Sequence, residues 1–292
     1  MAHNKKRQLY NMLNKFLFGI SLISTLLIVS CKKNDNNSPT ATPPRDVTEV
    51  RNENNAAIEN FLKTHSLTYS STASFDAKVT FATTTNTTNA IWGNSDLKTL
   101  ELDVYDDNNN KIRHKLYYMI LQQGTGTTTT IADLVYVNYK GQLLNLSVFD
   151  ETVSLSQRNW IDLIGDITDN KKNGTIKGFA EGVSLLKASS GNSLENGSGG
   201  FLVPPSDCGI GVFFIPSGLG YFNANQAKIP AYSPLIYTVQ LIGTTRADHD
   251  SDGIPSINEI RRDNYGIVTF PNCNAAKETV YKPDYLDPKN CD

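Results

Sequence analysis

The chain has 292 residues, 39% hydrophobic and 19% charged, enough apolar content for a packed core in one large domain or two smaller ones. Its 27 Lys and Arg against 29 Asp and Glu leave a formal net charge of -2. No block is strongly basic, so the composition argues against nucleic acid as a partner.

In chain order, residues 1–30 read as a targeting segment. Lys5, Lys6, Arg7 and Lys15 supply a positive start, and Phe16 to Ser30 is an uncharged apolar run. That run is too short to span a bilayer comfortably and suits a signal h-region. It stops at "LIVSC", which resembles a bacterial lipoprotein signal. The resemblance implies cleavage after Ser30 and lipidation of Cys31. Lys32 follows, where an Asp tends to retain lipoproteins at the inner membrane. The expectation is therefore an outer-membrane lipoprotein of a Gram-negative bacterium, held through Cys31 and facing the periplasm, with surface exposure open. Residues 31–45 read as a polar, Pro-bearing tether.

The segment 46–111 reads as a helix plus strands. "DVTEVRNENNAAIENFLKTH" places Val50, Ala57, Phe61 and Leu62 at helical spacing, with Asp46 as cap. "AKVTFATT" and "LKTLELDVYD" have the period of strands, and "DDNNNK" is a turn. His65 and His114 are isolated and are expected in surface or partly buried structural roles. From residue 112 to 244 the chain is rich in strands: "KLYYMILQQGTG", "VYVNYKGQLLNLSVFDET", "NWIDLIGD", "GVFFIPS" and "PLIYTVQLIGT". "IKGFAEGVSLLKAS" is the clear helix among them, with Phe179, Val183 and Leu186 at helical spacing. One short helix against antiparallel strands implies an α+β domain. No phosphate loop, nucleophile elbow or paired His motif is present.

Five motifs fall in order across this region: "VNYKG", "VFD", "IKGFAEGV", "FIPSGLGY" and "KIPAYSPLIYTVQL". Together they resemble the FKBP-type peptidyl-prolyl cis-trans isomerases. The resemblance implies an antiparallel sheet wrapped around a short helix, with an N-terminal α+β extension and an Asp-rich tail. It also implies a pocket for proline. Tyr139, Phe149 and Asp150 match pocket positions, Trp160 its aromatic floor, and Phe179 stands for the usual Trp at its base. Ile176 matches the residue whose amide binds a substrate carbonyl. Tyr221 matches the loop tyrosine that binds the ligand backbone, and Ile229 and Tyr237 close the wall. The sequence departs from the pattern at Thr175, at Phe222 (where Gly is usual) and at Tyr237 (where Phe is common). "DITDNKKN" and "SSGNSLENGSGGFLVPPSDCGIG" are insertions.

This resemblance has a physical rationale. The X-Pro amide resists rotation with a barrier of about 18–20 kcal/mol. Twisting localises the nitrogen lone pair and reduces charge separation, so an apolar, water-poor site favours the twisted amide without a nucleophile. The expected activity is isomerisation of proline-containing exported polypeptides, with no cofactor for catalysis. The alternative is an FKBP fold that grips proline segments, or acts as a chaperone, without turnover.

Residues 245–292 form an acidic tail. "DHDSDGIPSINE" spaces Asp248, Asp250, Asp252, Ile254, Ser256 and Glu259 like the ligands of a twelve-residue calcium loop, with Gly253 at the turn. Pro255 argues against an ordinary EF-hand. "DSDGIP" resembles instead the short calcium repeats of thrombospondin type 3. A solvated acidic tail without metal is the other reading. Cys273 and Cys291 share this tail and are expected to pair, closing a short loop worth on the order of 3 kcal/mol. Cys208 is expected to remain a buried thiol.

Overall fold

The computed structural model describes residues 43–72, 74–152, 160–167, 174–191, 205–276 and 281–288. The signal run, Cys31, most of the tether and Cys291 lie outside them. Helix α1 spans Val47–Thr64. The Asp46 carboxylate caps it by accepting the Glu49 amide at 2.8 Å, which satisfies one of the orphan donors at the helix start. Val50, Asn54, Ile58, Phe61 and Leu62 form its buried stripe. Ala57, expected on this stripe, is exposed, because the four-residue step from Val50 through Asn54 lands on Ile58.

Strands β1 (His65–Tyr69) and β2 (Val79–Thr83) form an antiparallel pair. A single helical turn, α2 (Phe75–Lys78), precedes β2, so the strand expected from Ala77 begins at Val79. β3 (Lys98–Tyr105) and β4 (Lys111–Gln122) are joined by the "DDNNNK" turn. There the Asp106 carboxylate accepts the amides of Asn108 at 2.9 Å and Asn110 at 2.7 Å, an Asx-type turn. β5 (Leu134–Leu143), β6 (Val148–Glu151), β7 (Trp160–Asp162), β8 (Gly209–Ile215) and β9 (Leu235–Thr245) follow. Seven of the described strands, β3 to β9, make one antiparallel sheet in the order β3-β4-β8-β9-β5-β6, with β7 also paired to β5. Register shifts at Ile120/Gln122, Tyr136/Val137 and Gly141/Gln142 mark bulges, which curl a sheet.

Both faces of this sheet are covered. On one lie Phe213, Ile215, Leu235, Tyr237, Val239 and Leu241, packed with helix α3 (Lys177–Val183). On the other, Val212, Phe214 and Ile236 pack against Ile58, Phe61 and Leu62 of α1. Alternate side chains of β8 therefore meet a different core, and all seven of its residues are buried. This accounts for its unbroken apolar sequence. Each buried Phe contributes roughly 1.5–3 kcal/mol. Segment 46–111 supplies α1 and β3 to these layers, and Pro44–Asp292 cluster as one compact unit.

α3 ends at Val183, short of the helix expected to Ser189. Leu185 and Leu186 continue in tighter turns onto Gly182 and Val183, and the Ala188 amide then donates to the Thr127 carbonyl at 2.9 Å. Pairing with the strand-like 127–129 segment takes the backbone groups that a longer helix would need.

The acidic tail is strapped to the domain. It contains α4 (Ser256–Glu259) and the short pair β10 (Arg261–Arg262) and β11 (Val268–Thr269). Ile260 and Tyr285 enter the main core, and the Tyr285 hydroxyl donates to the Gly165 carbonyl at 2.8 Å. Arg262 grips the buried Glu181 of α3 with two bonds of 2.9 and 3.0 Å. His249 Nε2 lies 2.9 Å from Asp162 Oδ2, and the Asp162 carboxylate in turn raises the His249 pKa. Cys273 is disulfide-bonded and Cys208 is a buried free thiol, while Cys291, the expected partner of Cys273, lies outside the described residues.

His114 departs from expectation. It is fully buried on β4, and neither ring nitrogen has a partner among the described residues. Burial first, then the charges of Arg51 and Lys177, lower its pKa to about 4.

Candidate active site

The expected aromatic positions meet on the α3 face of the sheet. Tyr139 is on β5 and Tyr237 on its neighbour β9, where it pairs with Gly141. Asp150 of β6 pairs with Gly141 from the other side, and Val148 pairs with Gln142. Phe149 falls between these two pairs as the extra residue of a bulge. The bulge turns the Phe149 ring over Gly141, where an added Cβ would lie 2.5 Å from that ring and 3.2 Å from Tyr237. The Phe149 and Tyr237 rings then meet edge to face at 5.5 Å. This is why an alternating strand carries Tyr-Lys-Gly and its return strand carries Phe-Asp. The glycine clears the space and the bulge aims the ring.

Phe179 enters from α3. Its ring lies 5.0 Å from Tyr237 and 6.1 Å from Tyr139, both T-shaped. α3 can sit this close because two glycines face the sheet. A Cβ on Gly178 would collide with Ile215, and one on Gly182 would lie 2.8 Å from the Phe213 ring. Ile176 is the cap residue of α3, and its carbonyl accepts the amides of Phe179 and Ala180 at 3.0 and 3.1 Å. The Ile176 amide donates to no acceptor among the described residues.

Tyr221 and Ile229 come from the loop 216–234 between β8 and β9. Ile229 is buried, and Tyr221 packs half-buried against the same core. Phe222, which replaces the usual glycine, takes φ 47°, the left-handed region that glycine enters freely. It is held there by the Tyr232 amide, which donates to its carbonyl at 2.6 Å, and by edge-to-face contact with the Tyr232 ring at 5.2 Å. Gly218 in this loop lies against the His114 ring, which leaves no room for a side chain.

The polar groups are few. The Tyr139 hydroxyl donates to Asp150 Oδ2 at 2.7 Å. Burial raises the pKa of Tyr139, Tyr221 and Tyr237, and Asp150 raises each further. All three tyrosines are therefore neutral hydrogen-bond donors at physiological pH. The arrangement offers aromatic walls, a small set of neutral donors and one exposed carboxylate.

Trp160, expected as the floor, is not in this cluster. β7 pairs it with Tyr136, whose side chain points to the opposite face from Tyr139. The Trp160 ring meets Tyr136 at a tilt, with centroids 5.8 Å apart, and remains 40% exposed. Phe179 occupies the base instead. Sequence reading also missed Gly141, Gly178 and Gly182 as space-makers. The signal for the last two was their four-residue spacing on one short helix.

The expected calcium ligands fall into two groups. Asp248, Asp250 and Asp252 bring carboxylate oxygens within 4.8 Å of one another. Asp248 Oδ1, Asp250 Oδ2 and Glu259 Oε2 are buried with no partner among the described residues. Burial, together with Asp250, Asp252 and Asp248, pushes the Glu259 carboxyl up to about 7. Gly253 makes the turn at φ 95°. This donor set fits a hard cation. Ser256 does not face it, since its hydroxyl contacts His249 Nδ1 at 2.7 Å. The Ile254 side chain is exposed.

No family profile matches the chain. Three curated relatives do. One is the FKBP-type peptidyl-prolyl cis-trans isomerase FkpA of Aeromonas hydrophila, 27% identical over 137 residues, covering 47% of this chain and 41% of that protein. The FKBP-type 22 kDa isomerase of Escherichia coli is 27% identical over 147 residues, covering 50% and 58%. A probable FkpA of Neisseria meningitidis is 31% identical over 128 residues, covering 44% and 37%. The chain is similar to FKBP-type peptidyl-prolyl cis-trans isomerases. It spans about half the length of the curated relatives it matches. Among solved structures, FkpA from Escherichia coli matches with a TM-score of 0.35 at 22% identity, covering 52% of this chain and 53% of that one. An isomerase from Pseudomonas syringae pv. tomato matches at 0.38 and 14%, covering 70% and 100%.

Proposed function

We propose that the protein is a peptidyl-prolyl cis-trans isomerase that assists folding of proline-containing exported polypeptides. The observation that carries this reading is the convergence of Tyr139, Phe149, Phe179 and Tyr237 beside the Ile176 amide, which has no acceptor among the described residues, in a region similar to FKBP-type isomerases. The aromatic rings receive the proline ring and exclude water. The Ile176 amide and the Tyr221 hydroxyl hold the flanking carbonyls, and Asp150 with Tyr139 fixes the rim. The less polar twisted amide gains on the planar one in this environment. No proton transfer is required, so the neutral tyrosines suffice.

We further assign the protein to the outer membrane through a lipid on Cys31, facing the periplasm. Among the described residues no helix is long and apolar enough to cross a membrane. Asp248, Asp250, Asp252 and Glu259 would hold calcium, which would brace the strap that docks on α3. The deciding experiment is proline-peptide isomerisation by the protein starting after Cys31. Acceleration supports the enzyme, whereas binding of the peptide without acceleration supports the non-catalytic proline-binding alternative. Uptake of labelled fatty acid that is lost in Cys31→Ala tests the anchor, and equal labelling of variant and parent refutes it.

A further inference from the structure

The loop 216–234 carries Tyr221 and Ile229, but what holds it comes from outside the sheet. Asn54, in the middle of α1, is 4% exposed. Its Oδ1 accepts the Ser217 amide at 2.6 Å, and its Nδ2 donates to the Tyr232 carbonyl at 3.1 Å. One side chain thus ties the two ends of the loop together. The orientation of the amide is forced, because the first partner is a donor and the second an acceptor.

The same points are tied again from within. The Phe222 amide donates to the Ser217 carbonyl at 2.9 Å, closing the turn on Tyr221, and the Tyr232 amide donates to the Phe222 carbonyl at 2.6 Å. Phe222 and Tyr232 both take left-handed conformations, φ 47° and 64°, which such residues hold only when their surroundings fix them. The start of the helix adds a third hold. The Arg45 amide donates to the Tyr232 hydroxyl at 3.0 Å, and its guanidinium lies 5.5 Å over the Tyr232 ring. Val50 and Ile58, one turn to either side of Asn54, already anchor α1 by packing. An asparagine between them on an apolar stripe is unfavourable unless its polar atoms are used.

We propose that Asn54 is a positioning residue for the isomerase site, acting through Ser217 and Tyr232 to fix Tyr221 over the aromatic cluster. Its activity arm rests on the isomerase reading. The N-terminal helix is then part of the working site, although it touches none of the rings there.

The test is a double-mutant cycle on the full chain, with kcat and KM resolved for a Leu-Pro tetrapeptide. Asn54→Ala raises KM about tenfold, the size of a lost buried hydrogen bond, and leaves kcat within about threefold. In a Tyr221→Phe background the same substitution raises KM by less than about twofold, because the two act through one contact. Asn54→Asp keeps the acceptor and loses the donor, so it preserves hydrogen-exchange protection of the Ser217 amide, which Asn54→Ala abolishes. If Asn54→Ala does not fold, Asn54→Asp, which loses the bond to the Tyr232 carbonyl, carries the cycle, and an unchanged KM in it overturns the proposal. A folded Asn54→Ala with unchanged KM, or with an undiminished effect in the Tyr221→Phe background, overturns the proposal. If the parent shows no isomerase activity, the functional reading fails. The clamp is then decided by exchange alone: unchanged Ser217 protection in Asn54→Ala overturns it.

Discussion

The aromatic cluster and the acidic loop 248–259 solve opposite problems with polar atoms. In the cluster the Tyr139 hydroxyl is matched to Asp150 and the Tyr221 and Tyr237 hydroxyls to each other, and what remains is ring against ring. In the loop Asp248, Asp250 and Glu259 each leave a buried oxygen without a partner among the described residues. The first region is complete as a dry surface with donors poised at its edge. The second carries concentrated negative charge, and burial together with that charge pushes Glu259 up to about 7. The difference teaches that the site proposed for a neutral, twisting amide would work by removing polarity, whereas the site proposed for a cation would work by leaving polarity unmet.

The largest test of this contrast breaks the dry side. Phe149→Ala removes the ring that closes over Gly141. It should cost roughly 3–4 kcal/mol of stability and lower isomerisation by more than tenfold, because water reaches the amide. A denaturant titration and a rate measurement check both. Retained activity in a folded Phe149→Ala would remove water exclusion from the mechanism.

His114 sharpens the comparison, because it is a buried polar group beneath the pocket loop with no partner among the described residues. Its folded pKa, about 4, lies below the ordinary histidine value. The unfolded chain therefore binds the proton more tightly. Stability is full above the unfolded pKa and is lost as pH falls through the folded one, by up to about 3 kcal/mol. His114→Phe should flatten this part of the profile. A variant with the parent's acid sensitivity between about pH 6.5 and about pH 4 would show that other groups govern it.

On the acidic side, calcium at about a hundred times its dissociation constant should add roughly 2.7 kcal/mol and protect residues 245–288 from proteolysis. Asp250→Asn should remove both effects. Identical digestion with calcium and with chelator would leave the solvated-tail reading. The smallest expected effect is Tyr139→Phe, which deletes one hydrogen bond to an exposed carboxylate. A loss of about 1 kcal/mol in transition-state binding, read from kcat/KM, is expected. A loss above a hundredfold would make this pair part of the chemistry.

Much of this was legible in the sequence, for definable reasons. Strand period marked β3, and the Asp46 cap marked the start of α1. The positions of Tyr139, Phe149, Phe179 and Tyr237 followed from motif resemblance, and their convergence depends on a bulge and on glycines that a period-two pattern does not display. Trp160 was misplaced because its face is set by its register with Tyr136, which is a property of pairing and not of local sequence. The tail looked separate because its apolar residues are sparse. Its docking rests on isolated contacts, Arg262 to Glu181 and Tyr285 to Gly165, between residues far apart in the chain. Asn54 was hidden in the same way: its partners lie more than 160 residues away.

The most direct test is the rate of cis-trans isomerisation of a Leu-Pro peptide by the chain from Lys32 onward, measured across pH. The account predicts clear acceleration over the uncatalysed reaction, nearly constant between about pH 6 and about pH 8, because Tyr139, Tyr221 and Tyr237 all have raised pKa values and stay protonated there. A folded protein with no acceleration would contradict the isomerase reading, and a steep pH dependence would contradict catalysis by desolvation.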